Sequence, residues 1–243
     1  MGGRGDEGAG LEGGHAVGTR VASLPAAPAS RRGLSFVLGA GGVLALAVSP
    51  PLDQIADRWL FAHMVQHLLL TLVAAPLLVV GIGAWPRLWG IVRTRVSRRG
   101  GDALGRVLTH PLVALLISAA VLWAWHAPEA YDAAIVDDRV HAVEHLSFVV
   151  AYVLYWWPLL GPGRAEWSNA FRAFYLLAGA ATGGLLGALL TFAPGAWYAH
   201  YLAIPSAAGL SPLADQHLAG AVMWLIGAIP FALIAVAVLR DEG

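Results

Sequence analysis

Six stretches of this chain are apolar enough, and most are long enough, to cross a lipid bilayer as helices. A helix needs roughly 20 apolar residues, at about 1.5 Å each, for one crossing. The runs are Leu34–Val48, Trp59–Ala84, Pro111–His126, Val140–Leu160, Ala173–Ala193 and Gln216–Leu239. Composition agrees, with 58% hydrophobic and 12% charged residues among 243. A soluble domain carries about 45–50% apolar and about 25% charged residues, and the excess here cannot be hidden in one water-facing core. A soluble enzyme and a disordered chain are excluded, and so is a nucleic-acid binder, because 15 basic residues are balanced by 15 acidic ones. The expected fold is an all-α membrane protein, a polytopic bundle of about six transmembrane helices over residues 33–240. Residues 1–32 are rich in Gly, Ala, Pro and Arg without an apolar period, and are expected to form a disordered cytoplasmic tail.

The first run is the shortest and is Gly-rich. It follows Arg31-Arg32 and contains Ala45-Leu46-Ala47, so a cleaved signal peptide competes with a retained span, although the n-region would be unusually long. All 15 basic residues are Arg, and 13 of them fall in the N-terminal tail, the Trp85–His110 and Gly161–Arg172 loops and the C-terminal tail. Only Arg58 and Arg139 lie in the opposite loops. The positive-inside rule then places both termini in the cytoplasm. Trp59, Trp123, Trp125, Trp197 and Tyr198 mark the outer boundary, and Trp85, Trp89, Trp156 and Trp157 the inner one, as amphipathic rings at headgroup level should.

The fifth run contains Gly179, Gly183 and Gly187 at intervals of four, with Gly184 beside them. Small residues at that spacing form a face on which two helices meet backbone to backbone. Pro76 and Pro230 are expected to kink the second and sixth runs. No nucleotide loop or nucleophile elbow is present. The absence of cysteine leaves His, Met or carboxylate as the available metal ligands.

Seven of the nine histidines map to the outer side: His63, His67, His126, His141, His145, His200 and His217. His63 and His67, and again His141 and His145, are spaced i, i+4, which puts both rings of each pair on one helix face. Two such pairs, with His126 and His217, gather six imidazoles in the outermost turns of four helices. Imidazole is a good ligand for copper, zinc or haem iron, and Met64 and Met223 add thioethers that suit Cu(I). Asp132, Glu144 and Asp215 are placed to fix the ring tautomers. A single interfacial His is ordinarily a hydrogen-bonding residue, and the case for a site rests on both pairs sharing one depth where polar residues are scarce. His200 lies in a loop with nothing to fix its position. Asp53, Gln54 and Asp57 read as solvated loop residues.

These residues also carry a resemblance. His63-Met64-Val65-Gln66-His67, followed by Ala75-Pro76, resembles the opening signature of the CtaG family of membrane factors that assemble the caa-type cytochrome c oxidase of bacteria. Trp125-His126-Ala127-Pro128 with Tyr131-Asp132, then His141-x-x-Glu144-His145 and Trp156-Trp157-Pro158, are similar to its middle motifs. Leu190-Thr191-Phe192, Ala214-Asp215-Gln216, Ala219-Gly220 and Met223-Trp224 are similar to its last ones. The likeness runs in order over about residues 59–239. It implies a non-enzymatic assembly factor in the bacterial cell membrane, with cytochrome c oxidase subunits as partners and copper as the handled metal. A second family that shares the CtaG name relies on cysteines, which this chain lacks.

Three functions remain open from the residues themselves. One is copper delivery, with His63, His67, His141 and His145 as primary ligands and His126 and His217 as exchange ligands. A haem-binding membrane cytochrome or quinol-linked oxidoreductase would use two of the histidines as axial ligands. A metal-free scaffold or proton-linked transporter would use the same groups as a relay.

Overall fold

A computed structural model of the chain describes residues 31–85, 90, 101–162, 167–204 and 209–240. The expected disordered tail therefore lies almost wholly outside the described residues. The described part is built from helices. In chain order they are α1 (Arg31–Ala47), α2 (Pro50–Ala56), α3 (Leu60–Ala84), α4 (Gly101–Leu108), α5 (Pro111–Trp125) and α6 (Pro128–Val136). There follow α7 (Asp138–Leu160), α8 (Asn169–Thr191), α9 (Ala199–Ala203) and α10, which runs from Pro212 to Arg240. Four helices, α3, α7, α8 and α10, are each long and apolar enough to span a membrane alone. Two bent pairs, α1 with α2 (48°) and α5 with α6 (72°), raise the number of candidate spans to six.

Helix starts differ from the apolar runs where a polar cap precedes the greasy segment. Asp137 accepts from the backbone N–H groups of Arg139 (2.8 Å) and Val140 (3.2 Å), so α7 begins before Val140. Ser168 and Ser211 accept from Phe171 N–H and Ala214 N–H, each at 3.2 Å, and open α8 and α10 in the same way. Hydropathy detects the apolar stretch, whereas the helix begins where the orphan N–H groups of its first turn find acceptors.

Five helices close a ring in the order α3, α7, α5, α8, α10, with α10 returning to α3. Helix α1 packs outside the ring, antiparallel against the second half of α3. Gly33 lies against the Ala84 carbonyl and Gly81 against Val37, where a β-carbon on either glycine would collide. The outer faces carry exposed leucines, among them Leu38, Leu116, Leu185 and Leu233, as a lipid-facing surface requires.

Two of the three long helices that contain an interior proline widen into a π stretch before it, Leu69–Ala74 ahead of Pro76 and Val222–Ile226 ahead of Pro230, whereas Pro158 lies in the last turn of α7. The expected perturbation at Pro76 and Pro230 takes that form, and each helix continues through it as a single candidate span. Around Pro76 the backbone accounting can be followed atom by atom. The Ala75 N–H bonds to the Leu70 carbonyl, and Pro76 has no N–H to offer the Thr71 carbonyl. Trp156 on α7 supplies the missing donor, its indole Nε1–H reaching Thr71 O at 2.9 Å. Trp156 is therefore fully buried, stacked on Phe231 at 5.5 Å, and is not the headgroup-level ring expected for the inner boundary. Replacing Trp156 with Phe is expected to keep the stack and leave the Thr71 carbonyl unpaired. The expected cost is about 1–3 kcal/mol, read from thermal unfolding in detergent. An unchanged midpoint would show that this bond is dispensable.

The glycine run of α8 divides by neighbour. Gly187 meets Gly220 of α10 backbone to backbone, and Gly179 makes room for the Tyr155 ring. Tyr155 stacks on Tyr175 (4.8 Å, 14°), and each hydroxyl donates to the other residue's carbonyl, at 3.2 and 2.9 Å. Gly183 and Gly184 touch nothing closely and line a small cavity inside the ring.

A histidine–carboxylate cluster at one end of the bundle

The first turns of α3 and α7 and the last turn of α5 lie at the same end of the ring, and their polar side chains converge there. His63 and His67 face inward from α3. Their Nε2 atoms are 2.9 Å apart, and their rings meet edge to face at 4.4 Å. Glu144 enters from α7 with its side chain fully buried. Its carboxylate oxygens are 3.5 Å from His63 Nε2 and 3.4 Å from His67 Nε2. His141 and His145 lie one turn apart with their rings tilted at 59° and 4.1 Å between centroids, and approach the His63 ring at 5.1 and 5.9 Å. One ligand atom each from His63, His141, Glu144 and His145 falls within 4.8 Å of all the others.

The cluster is short of hydrogen-bond partners. His63 Nδ1, His67 Nδ1, His141 Nε2, His145 Nε2 and both Glu144 oxygens are buried without a hydrogen bond. Each such atom costs about 1–3 kcal/mol if left unpaired, and a carboxylate costs more. These six atoms on neighbouring side chains, all lone-pair donors or able to become so by tautomer exchange, are groups that a cation would satisfy. Three imidazoles and a carboxylate are a borderline donor set of the kind that holds divalent zinc or copper.

His126 lies one layer further into the bundle. Its ring is 5.6 Å from His67, its Nδ1 is 2.7 Å from the Leu122 carbonyl and its Nε2 is 3.3 Å from Met64 Sδ. The structure thus brings five of the six sequence-predicted histidines into one continuous row. His217 is engaged elsewhere, donating Nε2–H to the Ala193 carbonyl at 3.0 Å.

The three carboxylates expected to fix ring tautomers separate. Glu144 sits among the rings and faces them directly. Asp215 instead accepts from the N–H groups of Leu60 (2.7 Å) and Phe61 (3.1 Å), capping α3 from the first turn of α10. Trp59, the residue before α3, offers no side-chain cap, which leaves those donors to a distant acceptor. Asp132 accepts from the N–H groups of Ala199 (3.0 Å) and His200 (3.2 Å), opening α9. Both act on the backbone that frames the cluster.

Some residues near the cluster were not legible as such. Asp53, expected to be solvated, lies on α2 with a carboxylate oxygen 3.8 Å from His141 Nδ1 and 3.2 Å from the Gln66 side-chain nitrogen that donates to it. The same Gln66 nitrogen donates to the Ala47 carbonyl at 2.8 Å and pins the break between α1 and α2. His200, expected to float in a loop, is held by Asp132 and lies with Nε2 3.0 Å from the Asp57 carbonyl. Tyr131 packs on His63 at 5.0 Å and meets the hydroxyl of Tyr201, which donates to the Ala56 carbonyl at 2.8 Å. Burial raises the Tyr201 pKa, so the hydroxyl stays protonated as a donor. The only local signal was the bend between α1 and α2 at Ser49-Pro50-Pro51, and nothing in it says where α2 docks.

An open groove of about 470 Å³ between α1 and α7 reaches the cluster from the side, with Asp53, Asp138, His141 and His145 on its wall. Fold and cluster together define a polytopic helical membrane protein with a buried imidazole–carboxylate centre at one end of its bundle. The chain belongs to the cytochrome c oxidase caa3 assembly factor family (Caa3_CtaG), whose sequence profile matches residues 15–241. It is accordingly an assembly factor of cytochrome c oxidase. No curated protein and no solved structure matches the chain.

Proposed function

We propose that this assembly factor carries one copper ion in the His63, His141, Glu144 and His145 set, with His67 against it, and passes that ion to a cytochrome c oxidase subunit. The role is non-enzymatic and copper is cargo. The observation that carries the proposal is that His63, His141, Glu144 and His145 each offer a ligand atom within 4.8 Å of the others, among buried ring nitrogens and carboxylate oxygens that have no hydrogen bond. Among divalent first-row metals copper binds such N/O sets most tightly, and an oxidase under assembly is a client for it. The thirteen-to-two arginine asymmetry supports an extracytoplasmic position for this end of the bundle in the bacterial cell membrane. The groove lined by Asp53 and Asp138 supplies a route for a cation to His141. Haem fits less well, because rings 4.1–5.9 Å apart touch one another and leave no slot for a macrocycle.

The test is the copper, zinc and iron content of the detergent-purified full chain by elemental mass spectrometry, before and after copper loading. Stoichiometric copper is expected in the natural sequence, with loss in the His63→Ala/His145→Ala variant. Stoichiometric iron with a Soret band would move the protein to the cytochromes. No metal after loading would leave the cluster as a structural or proton-relay network.

A further inference from the structure

We infer that the chain has a second, softer metal site, built from His126 Nε2 and Met64 Sδ with His67 beside them, suited to a monovalent copper ion. His126 Nδ1 lies 2.7 Å from the Leu122 carbonyl, which can only accept, so Nδ1 carries the proton. The Nε2 atom of the neutral ring then has a lone pair, and that lone pair faces Met64 Sδ at 3.3 Å. Thioether sulfur is also an acceptor. Two acceptors are thus held together in the core, with Met64 fully buried and His126 98% buried (2% exposed). Such a pair calls for something electrophilic between its members.

The separation matches a shared ion. Metal bonds of about 2.0–2.1 Å to imidazole nitrogen and about 2.3 Å to sulfur, opened to roughly 100–110°, place the two donor atoms about 3.3–3.6 Å apart. His67 is a third donor at hand. Its ring is 5.6 Å from that of His126, and its buried Nδ1 has no partner. A cavity of about 40 Å³ opens beside the three, with Met223, Gly183 and Tyr152 on its wall. Each water needs about 10–15 Å³ of such space, so the cavity admits a small ion with room for its ligands to shift. A thioether with imidazoles is a soft set, and soft ligands select Cu(I) over divalent ions. His67 then stands between two sites of different character: the imidazole–carboxylate set toward the groove and the thioether set toward the interior. This inference rests on the copper reading of the same cluster and shares His67 with it, but His126 Nε2 and Met64 Sδ belong to this site alone and its test is separate.

The experiment is anaerobic Cu(I) loading of the detergent-purified full chain, read by bound copper and by X-ray absorption at the copper edge. The sequence has no cysteine and three methionines, so any copper–sulfur scattering must come from a thioether. The natural sequence is expected to show that scattering. Met64→Leu conserves volume, and is expected to abolish the scattering and weaken Cu(I) binding at this site at least tenfold. His63→Ala/His145→Ala is expected to keep the scattering. Scattering from nitrogen and oxygen alone in the natural sequence would overturn the inference while leaving the divalent site standing. Scattering that survives Met64→Leu, or that vanishes only in Met223→Leu, would also overturn it. Sulfur scattering with no effect of His63→Ala/His145→Ala on any bound metal would instead remove the divalent site and keep this one. Should Met64→Leu fail to fold, Met223→Leu decides: sulfur scattering that persists there keeps the inference, and its loss overturns it.

Discussion

Glu144→Gln is expected to weaken copper binding by at least a hundredfold while leaving the apo protein as stable as before, or more so. Glutamine keeps the volume and removes the charge from a side chain that is fully buried and makes no hydrogen bond. In a low-dielectric interior an anionic ligand stabilises a bound cation strongly, and breaking a buried pair costs about 3–5 kcal/mol, two or more factors of ten in affinity. In the apo form the same carboxylate has only imidazoles 3.4–3.5 Å away to offset its desolvation, so removing it costs little or stabilises. The two effects have opposite signs, and that is what makes the variant informative. Thermal unfolding of the loaded and apo forms measures both, because a ligand at 100 times its Kd adds about 2.7 kcal/mol to the folded state. Unchanged copper affinity in Glu144→Gln would remove Glu144 from the ligand set. A large loss of apo stability would show that it serves the fold instead.

Gly220→Ala is expected to damage the bundle more than any other single methyl group added to these helices. Its β-carbon would fall on the Thr191 hydroxyl and on the Gly187 carbonyl and Thr191 N–H, and the last two are backbone atoms of α8 that cannot swing away. Overpacking of this kind typically costs about 1–3 kcal/mol. Forcing α10 off α8 would also move Asp215, the residue that caps α3 directly below His63. Loss of stability and loss of oxidase maturation are therefore expected together. Gly184→Ala is the control, since nothing lies within 4 Å of its β-carbon. Comparable unfolding midpoints for the two variants would refute the backbone contact between α8 and α10.

Sequence alone was sufficient for the class of molecule, because bilayer insertion acts on summed apolar area and every residue of a run contributes independently. It also sufficed for the pairs His63/His67 and His141/His145, since helical periodicity fixes i, i+4 neighbours without reference to the rest of the chain. The glycine spacing in α8 announced a close contact but could not rank its members. Gly187 meets a backbone, Gly179 a tyrosine ring, and Gly183 a cavity, and those differences belong to the neighbours. The carboxylates divided for the same reason. Glu144 lies on the same helix as two of the rings, one residue before His145, and reached them as a local reading allows. Asp215 and Asp132 lie 155 and 67 residues from the N–H groups they accept from, distances over which spacing carries no information. Tertiary structure likewise decided that α2 brings Asp53 to His141, that Trp156 repairs the Thr71 carbonyl next to Pro76, and that His217 turns to Ala193. Periodicity is a property of one helix, whereas a buried polar group is satisfied by whichever helix happens to be packed against it.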